Sequence, residues 1–248
     1  MNKKFFALTT LMLGMLLLFS GCINIGTGGG NRSIRGTGQV ITRDIEVADF
    51  NGIRVSGNFS VVYRQASTAA LTVSMQENLF NHLDVDVTGG TLQIGSSRTF
   101  DTITANRPTL YIYAPYLSAI NFSGAITATD WDAIESQSFA IDTSGAATID
   151  LSLVAEQTDI NTSGAATLTL DMEVERLYMN VSGAATVRLS GTADNIDVDG
   201  SGAFNLRAGD LQIEGGRVNA SGAANVYLST LDNVNVSASG LARVRQAE

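Results

Sequence analysis

Three pairs of aspartates stand two residues apart: Asp84/Asp86, Asp130/Asp132 and Asp197/Asp199. On an extended strand, residues i and i+2 share a face at roughly 6.5 to 7 Å. That separation suits an inverting carboxylate pair or a bound cation. His82 is the only histidine, so no two-His metal site can form, and no clustered ligands for zinc or iron accompany it. Within Phe80-Asn81-His82-Leu83 it reads as a packed structural side chain, and no Gly-x-Ser-x-Gly elbow offers it a serine. Gly28-Gly29-Gly30 is followed by no strand and helix, so it is not a phosphate cradle. Tyr111, Tyr113, Tyr116, Phe122 and Trp131 cluster in sequence; they line a sugar-binding surface or, the reading preferred here, cover a junction between two parts of the fold. No cofactor is expected.

The elements that position these residues follow from a repeat. Ser-Gly returns seven times, at Ser123-Gly124, Ser144-Gly145, Ser163-Gly164, Ser182-Gly183, Ser201-Gly202, Ser221-Gly222 and Ser239-Gly240, in steps of 21, 19, 19, 19, 20 and 18 residues. A near-constant period with small slips is the mark of a solenoid. Three residues before each serine stands an apolar residue (Ile120, Ile141, Ile160, Met179, Val198, Val218, Val236), and five after it another (Ala128, Ile149, Leu168, Val187, Leu206, Val226, Val244). The alternation around them is that of a strand with one buried face. Each unit therefore reads as strand, Ser-Gly corner, strand and a variable connection. One unit cannot bury its inner face, but coils stacked at about 4.8 Å can pair every strand above and below. The expected fold is all-β: a single-domain parallel β-helix, taken as right-handed, with coils of about 19–20 residues.

Glycine at the corner admits a conformation or a close approach that a Cβ forbids, the two following alanines leave room, and the serine can bond locally or to the next coil. Two residues before the serine come Asn121, Asp142, Asn161, Asn180, Asp199 and Asn219. Stacked, they form an amide ladder in which no two aspartates are neighbours, so each carboxylate can accept from an amide instead of facing a like charge. The row reads as structural; its other reading is a cation or sugar site.

Asn2-Lys3-Lys4 precedes an apolar run from Phe5 to Phe19, which suits a signal peptide and is short for a membrane span. Ser20-Gly21-Cys22 resembles the lipobox of bacterial lipoproteins, with Phe19 in place of the usual leucine. The resemblance implies removal of residues 1–21 and acylation of Cys22, the only cysteine, as the contact with the membrane. Ile23 after it resembles the outer-membrane sorting class, which implies a lipid-anchored protein of the cell envelope. The Gly-, Ser- and Thr-rich stretch 22–38 is expected to be a flexible tether, and 39–248 the β-helix domain. From Cys22 on there is no lysine; thirteen arginines face twenty-four acids, a net charge of −11. That balance disfavours nucleic acid as a partner.

Strands are also expected through Val40-Ile41, Ile45 to Val47, Ile53 to Tyr63, Leu71 to Met75, Val85 to Val87, Leu92 to Ile94 and Leu110 to Tyr113, with one helical turn near Glu77 to Leu83. Ile53 to Gly57, followed by Val61 and Tyr63, reads as an early, degenerate copy of the repeat in an irregular first half.

Asp49-Phe50-Asn51-Gly52-Ile53, Val55-Ser56-Gly57 and the Ser-Gly-Ala coils resemble the bacterial family "putative auto-transporter adhesin, head GIN domain" over roughly residues 44–232. The resemblance implies a β-helical domain on exported, often lipid-anchored proteins. Two functions compete. One is a non-enzymatic envelope module, adhesive or structural, with a protein or glycan ligand. The other is a calcium-assisted polysaccharide lyase or hydrolase built on one of the aspartate pairs.

Overall fold

The computed structural model describes residues 33–101 and 107–247. The chain divides into units Met1–Asn31 and Arg32–Glu248, and the first, with the signal peptide and Cys22, lies outside the described residues. The strands are β1 (Ile34–Arg35), β2 (Val40–Ile45), β3 (Gly52–Gln65), β4 (Ala70–Gln76), β5 (Leu83–Thr88), β6 (Thr91–Ser96), β7 (Phe100–Asp101), β8 (Thr109–Ala114), β9 (Ala119–Ala128), β10 (Ile134–Thr143), β11 (Ala146–Thr162), β12 (Ala165–Gly183), β13 (Thr186–Gly202), β14 (Asn205–Ala220), β15 (Asn225–Leu228), β16 (Val234–Ala238) and β17 (Arg243–Gln246). A 3-10 turn, Glu77–His82, stands where one helical turn is expected.

β3 and the strands from β9 to β17 wind as a parallel β-solenoid of about seven turns. Its register follows the sequence period. Ala147 pairs with Ala166, Ile149 with Leu168 and Ile160 with Met179, and the next rung continues Leu168 to Val187 and Met179 to Val198. The first inner column is buried from Ile120 to Val218 and the second from Ala128 to Val226. On the last rung the same column opens, and Val236 is 44% exposed.

The expected variable connections are strand as well. β11 and β12 run from one corner to the next without a break, and Ser152 to Ala155 pair with Asp171 to Val174. Inward Leu153, Met172 and Leu211 close that wall. Period slips are absorbed locally. The 20-residue step inserts Gly209, where the register between β13 and β14 shifts at Arg188/Ser190. The 21-residue step holds the loop 129–133, whose Asp130 has φ +72°. Asx residues tolerate that left-handed conformation better than most.

The early copy is the first rung. Ser56 pairs with Ser123 and Gly57 with Gly124, a sequence separation of 67 residues. Between these two rungs the chain leaves the solenoid and builds a cap. β8 and β6 pair in parallel with β3, β4 runs antiparallel to β8, β2 antiparallel to β4, and β5 antiparallel to β6. Leu71, Val73, Met75, Leu79, Leu92 and Leu110 fill this end, all at most 1% exposed. The stretch expected to be tether up to residue 38 contains order at its end: Ile34 and Arg35 pair with Phe100 and Asp101, and the Thr37 amide donates to Asn78 Oδ1 at 2.8 Å.

Candidate functional site

The corner glycines form a column in which backbone lies on backbone. A Cβ built on Gly124 falls 2.3 Å from the Gly57 carbonyl oxygen, on Gly145 2.4 Å from that of Gly124, on Gly164 2.4 Å from that of Gly145, and on Gly183, Gly202 and Gly222 2.6 Å from the carbonyl below. Gly240 closes the series at 3.1 Å. Gly145 and Gly164 lie outside the left-handed region, so the rung beneath, and not φ, excludes a side chain there. The amides beyond the corner keep the ladder going: Ala165 donates to Gly145 and Ala184 to Gly164, each at 3.0 Å.

The ladder residues pair rung by rung, Arg54 with Asn121, then Asp142, Asn161, Asn180, Asp199, Asn219 and Ser237. Asn161 Nδ2 donates to Asp142 Oδ1 at 3.0 Å and Asn219 Nδ2 to Asp199 Oδ1 at 2.7 Å. Among the described residues, the side chains of Asn121 and Asn180 make no hydrogen bond within the chain. Of the corner serines only Ser221 bonds, its Oγ donating to the Gly200 carbonyl at 3.2 Å. The others reach neither the turn nor the next coil. The amide and serine columns flank a shallow polar groove along Asn121, Asp142, Asn161 and Asn180, continued along Asp199, Asn219 and Ser237.

Two of the three aspartate pairs are engaged by arginine. Arg217 donates from Nη2 to both Asp197 oxygens at 2.8 and 2.9 Å and from Nε at 3.1 Å, with Asp199 at 3.5 Å. The hydrogen bond to Asp197, and then the charges of Asp197 and Asp199, favour its protonated form further. Arg64 binds Asp130 Oδ2 at 2.8 Å, with Asp132 Oδ1 at 3.8 Å, while Asp132 Oδ2 accepts from the Gln65 amide at 2.9 Å. Asp84 and Asp86 lie exposed on β5 in a cleft with Arg54 and Gln93, and Asp86 accepts from Thr88. His82 is half-buried, with Nδ1 3.5 Å from Ser97 Oγ. Among the described residues no three His, Cys, Asp or Glu side chains are grouped to hold a metal ion.

The aromatics separate. Phe122 is buried in the solenoid, and Trp131 packs on it and on Tyr63 with centroids at 6.4 and 5.4 Å, donating Nε1 to the Val61 carbonyl at 2.8 Å. Burial, and then the negative charge of Asp132, push the Tyr63 phenol up from its usual 10.0. Tyr111 and Tyr113 are half-buried on the outer face of β8, and Tyr116 is 53% exposed.

Both arginine clamps lie beyond a reading of isolated motifs; the period holds the signal for Arg217, whereas Arg64 is placed by the register of the first rung. Arg217 is one 20-residue step past Asp197, and the 67-residue offset of the first rung sets Arg64 beside position 131, between the two aspartates. The pairing of Phe204 with Gly200 has no such signal beyond a double departure from the repeat: Phe204 replaces the second alanine, and a Cβ on Gly200 falls 2.0 Å from its ring.

The sequence model of the family described as "Putative auto-transporter adhesin, head GIN domain" matches residues 49–247. No curated protein matches the chain. Solved structures share its fold, three of them as follows. A "putative adhesin" from Parabacteroides merdae is 17% identical with a TM-score of 0.74, over 87% of this chain and 99% of that one. A "Putative lipid binding protein" from Parabacteroides distasonis is 18% identical at 0.72, over 88% and 100%. A "putative adhesin" from Bacteroides fragilis is 18% identical at 0.64, over 87% and 100%.

Proposed function

The chain belongs to the family described as "Putative auto-transporter adhesin, head GIN domain", and from that premise we propose that it is a non-enzymatic adhesive or interaction module of the cell envelope, held to the membrane by a lipid on Cys22. The observation that carries the reading is the division of labour among its distinctive residues. The glycine column is consumed by stacking, and two aspartate pairs are each engaged by one arginine, Arg64 or Arg217. What remains outward is a long, stiff, acidic surface, suited to display and contact. The lipobox supports export, and the family supports a position at the cell surface or in the envelope.

The reading is tested on cells. Antibody against the folded domain should label intact cells, and a deletion strain should lose attachment to a surface or partner cell that a plasmid copy restores. Labelling only after permeabilisation, or turnover of an anionic polysaccharide abolished by Asp84→Asn with Asp86→Asn, overturns it.

A further inference from the structure

At the cap end, four connections meet around a cleft of about 490 Å³: the segment before β3, the β3–β4 and β8–β9 loops, and the Gly89-Gly90 turn. Tyr116 stands exposed at its side, Phe50 is 5% exposed beneath, and Asp49, Asn51, Ser67 and Thr68 supply polar side chains. The polar ladder groove and the cleft at Asp84 and Asp86 have no aromatic lining.

The walls are pinned by backbone bonds. The Asn51 and Gly52 amides both donate to the Gly90 carbonyl, at 2.9 and 3.1 Å. Ser118 donates from its amide and its hydroxyl to the Asn51 carbonyl, at 2.7 and 3.1 Å. Gln65 Nε2 donates to the Pro115 carbonyl at 3.0 Å and holds the peptide next to Tyr116. Loops fixed to a rigid scaffold are where binding residues are carried, and a preformed concavity with a few polar groups is the usual form of a small-ligand site.

We propose that this cleft binds a neutral pyranose ring, stacked on Tyr116 and hydrogen-bonded by Asp49, Ser67 and Thr68. The chemistry selects that class. An aromatic face suits the apolar C–H face of a sugar, while a carboxylate and two hydroxyls match the mixed donors and acceptors on its rim. No lysine or arginine lines the cleft, which disfavours anionic ligands. Although Asp49 is negative, Tyr116 is the single exposed aromatic ring of the lining, Phe50 being buried, so the cleft lacks the set of aromatic faces that selects an ammonium group. The assignment deepens the adhesive reading and rests on it, since a neutral glycan is a contact such a module meets on a neighbouring surface.

The purified full chain is tested against immobilised neutral oligosaccharides of glucose, galactose, mannose and the N-acetylhexosamines, and the best probe is titrated in solution. Saturable binding is expected. Tyr116→Ala should weaken it about tenfold or more, Tyr116→Phe should leave it within about threefold, and Asp49→Asn should weaken it, all with an unchanged melting curve. Binding that Tyr116→Ala leaves intact overturns the assignment, as does no neutral saccharide bound, or a trimethylammonium probe bound in their place. Failure here together with a deletion strain that still loses attachment removes the sugar site and leaves the adhesive reading standing. Sugar binding in a strain whose deletion attaches normally does the reverse.

Discussion

The side-chain amide of Asn161 donates a hydrogen bond to Asp142 Oδ1 across one rung of the solenoid, at 3.0 Å. The carboxylate is thereby flanked by amides, Asn121 below and Asn161 above, in a column whose spacing brings like charges into repulsion. Asn161→Asp should place two carboxylates on adjacent rungs and cost roughly 0.2 to 1 kcal/mol at low ionic strength, with most of it recovered in high salt. Urea unfolding at two salt concentrations measures this. A salt-independent loss would mean that the amide matters for shape and not for charge.

Gly200 and Phe204 answer one another within a single coil. The ring is 1% exposed and occupies the space that any side chain at 200 needs. Gly200→Ala should cost about 1 to 3 kcal/mol by overpacking, and Phe204→Ala about 3 to 5 by the cavity it leaves. The double variant should be less destabilised than the sum, because the added methyl enters the vacated space. Strict additivity in denaturant unfolding contradicts the pairing.

Tyr63 should contribute to the loss of stability at alkaline pH. Its hydroxyl donates to the Ala114 carbonyl at 3.1 Å, and burial with the nearby Asp132 charge raises its pKa above 10.0. Because the folded value lies above the unfolded one, the contribution is complete below that pH and is lost as pH rises past it, where the unfolded chain ionises first. Tyr63→Phe should lower stability by about 1 kcal/mol near neutral pH and flatten its decline above about pH 10. An unchanged alkaline slope in the variant counts against the assignment.

The proposed lipid on Cys22 is tested by removing its attachment point. Cys22→Ser should shift the protein from the membrane fraction to the soluble one and abolish incorporation of labelled palmitate. Membrane retention of an unlabelled variant contradicts the anchor.

The repeat was legible because stacking writes itself into sequence at a fixed period. The two inner columns, the corner glycines and the ladder order are read from the spacing, and Ser56-Gly57 from its motif as an early copy of the unit. The cap was legible only as separate strands. Its antiparallel pairings and the return of β9 to β3 after 67 residues depend on contacts that no local pattern encodes. The corner serines carry a different lesson: they recur as faithfully as the glycines, yet among the described residues their hydroxyls, apart from that of Ser221, make no hydrogen bond within the chain. I,i+2 spacing likewise places Asp130 and Asp132 on the chain without revealing that Arg64 occupies them.

The corner glycines recur because one rung lies directly on the next. Thermal unfolding of Gly164→Ala beside Ser163→Ala is the test, because these neighbours share the corner and its backbone bonds, but a methyl added at Gly164 meets the Gly145 oxygen at 2.4 Å while Ser163→Ala removes only an unbonded hydroxyl. Ser163→Ala should stay within about 0.5 kcal/mol of the parent, while Gly164→Ala should lose more than about 3 kcal/mol or fail to fold cooperatively. A Gly164→Ala protein that melts like the parent contradicts the stacked corner.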